Sequence, residues 1–318
     1  MKIKILDAST LGPDTPFDKL SELGDVIVYD QTPNTTLKER ISDADVIIIN
    51  KVKITEDVIS SAKCLKLICV FATGYDNVDV RAAKQYGVGV CNVPGYSTDS
   101  VTLFTVATVL SLAAHLREYS DSVSSGLYTS CGKANIITPV FHEISGKTWG
   151  IVGYGNIGRA VARVAEALGA RVIANKRIPL VEVECVDIDT LVAESDIITV
   201  HCPLNEETRN LINRQRIDRM KNGVILVNEA RGAVLDERAV TDAVMEERIG
   251  GFGCDVYSEE PFSSEHPYNE IKNRSNVILT PHAAWSAYEA RVRCVNTIAR
   301  NIRSSLLENG TLNRVDKK

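Results

Sequence analysis

Two α/β domains, each built on a doubly wound parallel sheet and one inserted into the other, are the fold class that this 318-residue sequence predicts. Three observations carry the prediction. Short apolar runs alternate with helical patterns over residues 2–93 and again over residues 148–279, the rhythm of parallel strands joined by crossover helices. A glycine-rich turn opens the second series and has no counterpart in the first. Beyond the last strand of the second series, residues 286–308 have a helical pattern and are placed to return to the first domain. The expected division is residues 1–97 plus 286–318 for one domain and 98–285 for the other, and 44% hydrophobic residues suffice for two cores.

Composition excludes several classes of function. A net charge of −5, with no dense basic run, argues against nucleic acid as a partner. The chain enters a strand pattern directly at Lys2, and no stretch is apolar for about 18 residues, so no membrane span is expected and the location expected is cytoplasmic. The cysteines at 64, 69, 91, 131, 185, 202, 254 and 294 never form C-x-x-C, and several sit in apolar runs; neither disulfides nor a metal site is expected.

In the first domain the strands expected are residues 3–6, 26–29, 46–49, 67–71 and 88–90, with helices between them. Two loops follow predicted strands, where open α/β sheets place ligands. In residues 72–79, Gly74 would leave backbone N–H groups to hold a carboxylate, or the segment is an ordinary turn with Asp79 as N-cap. Residues 92–100 contain Pro94-Gly95 and then Ser97, Thr98 and Asp99, which start a long helix to about residue 117. That helix carries the chain into the second domain, with a hinge beside it. Residues 120–147 are polar and irregular and suit an excursion over a surface or onto a partner subunit.

Residues 148–169 read as strand, glycine turn and helix. Gly153, Gly155 and Gly158 form G-x-G-x-x-G: the first allows a tight turn, the second lets backbone approach a pyrophosphate, and the third lets helix pack on strand. The helix then buries Ile157, Val161, Val164, Ala165 and Leu168 on one face and offers its N-terminus to an anion. A second strand, 171–174, ends in Asn175-Lys176-Arg177, where an acidic residue would bind the adenosine ribose 2′-OH of NAD. Lys176 and Arg177 instead favour the 2′-phosphate of NADP, unless both are merely solvated loop cations.

Further on, the expected elements are a helix at 188–193, a strand at 197–200, a helical region at 208–220, a strand at 224–228, a helix at 236–248 and a strand at 277–279. Arg231, Asp255, Glu260 and His282 lie at or just past strand ends. Singly each has a dull explanation: surface cation, turn former, loop acid, hydrogen-bonded histidine. Together with the glycine turn they meet the demands of hydride transfer to a ketone beside a carboxylate. Arg231 supplies a planar fork for the carboxylate, and His282 a proton donor for the developing alkoxide. Glu260 would orient the ring and favour its protonated form, and Asp255 could hold the nicotinamide carboxamide.

With these residues in place the chain resembles the D-isomer-specific 2-hydroxyacid dehydrogenases over almost its whole length. The motifs are Thr73-Gly74 with Asn77, Asn92 to Gly95, Gly153 to Gly158, His201-Cys202-Pro203-Leu204, Asn228 to Gly232, Asp255 to Pro261 and Thr280-Pro281-His282, in the family's order. The resemblance implies a Rossmann-type cofactor domain inserted into a flavodoxin-like substrate domain, and usually a homodimer. It implies that Arg231 binds and polarises the substrate, that His282 is the acid/base, and that Glu260, before Pro261, is its partner. It gives the backbone of Thr73 and Gly74 to the substrate carboxylate, and lines the cofactor with Asn156, Ile157, Cys202, Pro203, Thr208, Glu229, Ala230 and Asp255. Two departures stand out: Lys176 where NAD-using members carry aspartate, and Glu229 where a small residue, often threonine, is common. His282-Ala-Ala-Trp285 looks like the glycerate dehydrogenase and hydroxypyruvate reductase branch, which implies a small 2-keto acid such as hydroxypyruvate or glyoxylate. A formate dehydrogenase would carry glutamine at position 260, and a phosphoglycerate dehydrogenase a regulatory tail. The alternative of another class is a dinucleotide-sensing, non-catalytic protein like the corepressors that share this fold.

Overall fold

The computed structural model of the chain describes residues 1–178 and 180–317. They divide into two compact units, Met1–Ser97 with Ser286–Lys318 and Thr98–Trp285.

In the first unit β1 (Lys2–Ile5), α1 (Asp18–Ser21), β2 (Asp25–Val28), α2 (Asn34–Ile41), β3 (Val46–Ile49), α3 (Glu56–Ser61), β4 (Leu67–Val70), α4 (Val80–Gln85) and β5 (Gly89–Cys91) follow in turn. The strands pair in parallel in the order β2-β1-β3-β4-β5. Every residue of β3 and β4 is buried, as continuous Val/Ile/Leu runs covered on both faces require. Asp79 does cap α4, its side chain accepting from Ala82 N at 2.9 Å.

The second unit starts with α5 (Thr98–Ala113), α6 (Leu116–Ser124) and α7 (Leu127–Ser130). Then come β6 (Thr148–Val152), α8 (Asn156–Ala167), β7 (Arg171–Asn175), β8 (Glu184–Cys185), α9 (Ile188–Glu194), β9 (Ile197–Val200), α10 (Arg214–Ile217), β10 (Val224–Asn228), α11 (Glu237–Met245), β11 (Ile249–Cys254) and β12 (Val277–Leu279). The sheet is parallel, ordered β12-β11-β10-β9-β6-β7-β8. The chain winds outward from β6 to β8 and returns to β9 on the other side, so the order reverses between β6 and β9, the switch point where such sheets bind ligands. Alternate residues feed two cores: Ile198, Val200, Leu226 and Phe252 on one face, Ile151, Ile197 and Val227 on the other. Finally α12 (Tyr288–Leu307) rejoins the first unit, where buried Asn301 donates to Asn92 O at 3.0 Å.

The structure corrects two expectations. The helix starting at Thr98 ends at Ala113 rather than near residue 117: His115 turns left-handed, at φ 50°, and α6 leaves at 65°. The buried stripe Val101, Thr105, Thr108, Val109 and Leu112 stops there, and α6 buries nothing, so packing no longer holds the chain on one axis. Within 208–220 only Arg214–Ile217 is α-helical. Asn205 Oδ1 takes the N–H groups of Glu207 and Thr208 at 2.9 and 3.0 Å, a local turn that outcompetes helix, and Asn213 restarts it by capping Arg216 N at 3.1 Å. The two-residue strand β8 was not anticipated either. No single described helix is long and apolar enough to cross a membrane.

The third glycine of the fingerprint shows why helix α8 fits: a Cβ on Gly158 would lie 2.3 Å from the carbonyl oxygen of Gly153. Gly158→Ala should therefore lower stability by roughly 1–3 kcal/mol through overpacking, read as a fall of several degrees in Tm; an unchanged Tm would mean that helix and strand can separate freely.

Candidate active site

The cofactor end is built from backbone. Gly153 N donates to Asn175 O at 3.0 Å, and at φ +96° Gly153 adopts a conformation that a side chain would strain. A Cβ there would sit 2.5 Å from Cys202 N, so the turn rests on the chain leaving β9. At Gly155 the situation is reversed: a Cβ would meet nothing within 4 Å. Gly155 is also the N-cap of α8, and no side chain caps that end. Open space in front of uncapped N–H groups, at the positive end of a 12-residue helix that starts with Asn156 and Ile157, fits a pyrophosphate. Lys176 and Arg177 follow β7 directly, and neither is held in an ion pair among the described residues. On the other side of the turn, Thr208 Oγ1 donates to Pro203 O at 2.6 Å and closes the loop after β9, while burial pushes the Cys202 thiol up to about 11.

Strand register aligns the other end. Val152 pairs with Val200, Val200 with Asn228, Asn228 with Cys254 and Cys254 with Leu279. One residue further on stand Gly153, His201, Glu229, Asp255 and Thr280, a row along the C-terminal edge of the sheet. Asp255 is well supplied with donors: Thr280 Oγ1 at 2.6 Å, Ala283 N at 2.7 Å and Ala284 N at 2.8 Å. Burial pushes its carboxyl up, and these donors together with His282 pull it back. Glu229 has no such help. It is 8% exposed, and burial followed by the neighbouring Asp255 charge drives its carboxyl well above the usual range. Its Oε2 and both ring nitrogens of His201 are buried without a hydrogen-bond partner among the described residues, and burial lowers His201 to about 3. At neutral pH His201 is therefore an uncharged imidazole, and burial favours the protonated form of Glu229 over its ionised form. Orphaned donors and acceptors at this edge suit an amide group, which offers both, so the residues present fit the nicotinamide end of a dinucleotide.

Arg231 lies on the turn after β10. Asn228 fixes that turn, accepting from Ala230 N at 3.0 Å and donating to Arg231 O at 2.9 Å, and the guanidinium donates to Ala230 O at 2.8 Å. His282 is held at φ 54°, with its N–H bonded to Thr280 O at 3.0 Å. Its Nδ1 lies 2.6 Å from Glu260 Oε2, while Glu260 Oε1 accepts from Tyr257 N at 3.1 Å. A carboxylate only accepts, so the proton between them sits on Nδ1 and Nε2 is turned away from Glu260. Both side chains remain about one-quarter exposed. Thr73 and Gly74 lie in the other unit, on the turn after β4, where Thr73 Oγ1 donates to Val93 O at 2.9 Å and Asn92 Nδ2 to Thr73 O at 2.7 Å.

Sequence reasoning named His201 only within the His201-Cys202-Pro203-Leu204 motif and gave it no role, and it did not single out the N–H groups of Ala283 and Ala284. The only signal for the latter was the pair of small residues after His282, and for the former a histidine directly after a buried strand. The buried acid next to them makes a test. Between the unfolded carboxyl's ordinary range and its raised folded value, the folded state binds more protons, so this group makes stability fall as pH rises. Glu229→Gln cannot titrate, and its Tm advantage over the parent should be larger at pH 8 than at pH 5 by a few degrees, the size of about 1 kcal/mol; an advantage equal at both pH values would mean that Glu229 is ionised in the folded protein.

Residues 106–284 match the family described as D-isomer specific 2-hydroxyacid dehydrogenase, NAD binding domain. The hydroxypyruvate reductase of Blautia hydrogenotrophica is 36% identical, with all of both chains covered. The glycerate dehydrogenase of Methylorubrum extorquens is 36% identical over 83% of each chain. Among solved structures, the acyclic imino acid reductase Bsp5, in complex with NADPH and D-Arg, superposes with a TM-score of 0.88 at 31% identity, covering 99% of this chain and 100% of that one. The curated relatives carry enzyme names, and the non-catalytic sensor finds no support. The chain belongs to the D-isomer-specific 2-hydroxyacid dehydrogenase family and is an NAD(P)-dependent oxidoreductase that interconverts 2-keto and 2-hydroxy acids.

Proposed function

We propose that this enzyme reduces a small 2-keto acid, hydroxypyruvate or glyoxylate, to the D-2-hydroxy acid, and that it uses NADPH in preference to NADH. The observation that carries the reading is the 2.6 Å pair of His282 and Glu260 in the same unit as an arginine presented at a strand end. Arg231 binds the keto acid through its planar fork and draws electron density toward the carbonyl oxygen. His282, its Nδ1–H held by Glu260, presents Nε2 toward that oxygen and delivers a proton as negative charge develops there. The bound dinucleotide supplies the hydride. Gly153, Gly155, Asn156, Ile157 and Gly158 would hold its pyrophosphate. Cys202, Pro203, Thr208, Glu229, Ala230 and Asp255 would line its nicotinamide half, and Lys176 and Arg177 would meet a 2′-phosphate. The names of the two curated relatives support a small substrate. A cytoplasmic homodimer is the proposed state, supported by the apolar surface that Leu116, Val123, Leu127, Ile137 and Phe141 expose in the cofactor unit.

Two measurements check this. With NADPH and NADH each limiting, and hydroxypyruvate, glyoxylate and pyruvate as acceptors, NADPH should give the higher kcat/KM by about tenfold or more and Lys176→Asp should reverse the order. Preference for NADH in the parent enzyme would reduce Lys176 to a solvated cation. Arg231→Ala should lower kcat/KM for the keto acid by at least about 100-fold while the dinucleotide Kd changes little; weakened cofactor binding with normal turnover at saturation would move Arg231 out of the substrate site.

A further inference from the structure

A polar cluster outside these residues underlies the turn that carries Glu260. Glu237, the first residue of α11, accepts from Ser258 N at 2.9 Å, from Ser258 Oγ, and from His266 Nε2 at 3.0 Å. The side chains of Glu237 and His266 are only 10% and 5% exposed. Tyr268 N donates to His266 Nδ1 at 3.2 Å, which leaves the ring proton on Nε2, aimed at Glu237. The imidazole is packed among Tyr257, Phe262 and Tyr268, with ring centroids 6.0, 4.8 and 4.9 Å away. Serine, histidine and an acid together suggest a nucleophilic triad, but Ser258 is bonded to the acid and not to the imidazole. His266 cannot take its proton, and that activity is ruled out on geometry.

The bonds lead instead to the acid/base pair. Ser258 is two residues from Glu260, and the preceding residue, Tyr257, gives its N–H to Glu260 Oε1 at 3.1 Å and its hydroxyl to Thr280 O at 2.8 Å. On another side the same peptide meets the residue after Arg231: a Cβ on Gly232 would fall 2.0 Å from Tyr257 C and 2.2 Å from Ser258 N. The Tyr257–Ser258 peptide is thus pressed by the arginine turn and anchored by Glu237. A carboxylate with three donors, buried against aromatic rings, is a stiffer anchor than the exposed Ser258 could find in water.

We propose that Glu237, locked by His266, is a positioning residue that holds Glu260 against His282, and so supports proton transfer without touching substrate or cofactor. The inference rests on the reading of Glu260 and His282 as the acid/base pair. Its chemistry is mechanical: a shift of about 1 Å at such a pair can cost on the order of 100-fold in rate. Titratable groups beside the pair include Asp255, which faces His282, and Tyr257, whose phenol burial pushes up; both are retained in every variant below.

The test compares Glu237→Gln, Glu237→Leu and Ser258→Ala with Glu260→Gln, each as the full chain, by kcat, KM, pH–rate profile, dinucleotide Kd and Tm. Glu237→Leu should lower kcat about 10- to 100-fold with KM and dinucleotide Kd within about twofold. It should also alter the alkaline limb of the kcat/KM profile, as a loosened carboxylate no longer holds the ring in place. Glu237→Gln, which keeps an acceptor for Ser258, should recover part of both effects, and Ser258→Ala should show the same direction in smaller measure. Adding Glu237→Gln to Glu260→Gln should cost little more than Glu260→Gln alone. A fall in Tm with kcat and the pH profile unchanged would make Glu237 a purely structural residue and overturn the proposal. If Glu237→Leu does not fold, Glu237→Gln and Ser258→Ala decide by the same criteria. If Glu260→Gln itself leaves kcat and the profile unmoved, the acid/base reading fails rather than the positioning one.

Discussion

The Asp255 carboxylate is the interaction on which the catalytic edge depends. It sits one residue past β11 and takes donors from Thr280, Ala283 and Ala284, so a single side chain fixes the whole turn that follows β12. That turn forces His282 into left-handed backbone, a conformation costing on the order of 1–3 kcal/mol for a residue with a Cβ. The strain persists because three charge-assisted bonds over-determine it. Nδ1 of His282 then reaches Glu260, and the direction of the imidazole follows from the sheet rather than from a flexible loop. Reactive groups on consecutive strand ends inherit the register of the strands, which hydrogen bonds hold far more tightly than any surface segment.

Two carboxyl groups stand side by side in this row, and their environments drive them apart. Asp255 is buried but richly donated to, and Glu229 is buried beside it with an oxygen that has no hydrogen-bond partner among the described residues. When two acids share a dry site, the one with donors keeps the charge and the other keeps the proton. In the protonated form that burial favours, Glu229 can donate a hydrogen bond, which the ionised group cannot. His201, pushed the opposite way by the same burial, adds an uncharged ring to the edge.

Much of this was legible in the sequence, and the reasons differ by element. Strands β3, β9, β10 and β12 fall at the predicted residues because buried parallel strands are unbroken apolar runs ended by polar residues. The glycine turn was legible because each glycine answers a distinct steric demand, visible in the close approaches at Gly153 and Gly158. Helix lengths were less legible. The break at His115 depends on where the sheet ends beneath α5, and the turn at Asn205 depends on a side chain competing with backbone, neither of which periodicity reports. The pairing of Glu260 rather than Glu259 with His282 came from motif position, since adjacent glutamates are indistinguishable by spacing alone. The Glu237–His266 cluster was invisible for a different reason: its members are 29 residues apart and look like ordinary helix and loop residues until the fold joins them.

The sheet order gives the cofactor edge an electrical polarity that unites these features. Moving from β11 through β10 and β9 to the switch point and on to β7, the strand ends carry Asp255, then Glu229 and the uncharged His201, then the N-terminus of α8, then Lys176 and Arg177. A dinucleotide laid along that edge in the proposed sense puts its nicotinamide, cationic when oxidised, beside the one carboxylate. Its pyrophosphate meets the helix dipole and its adenosine end meets two cations. An aspartate at position 176 would repel a 2′-phosphate, whereas a lysine would attract it. At the opposite end, burial and the neighbouring Asp255 charge weigh against a second negative charge on Glu229.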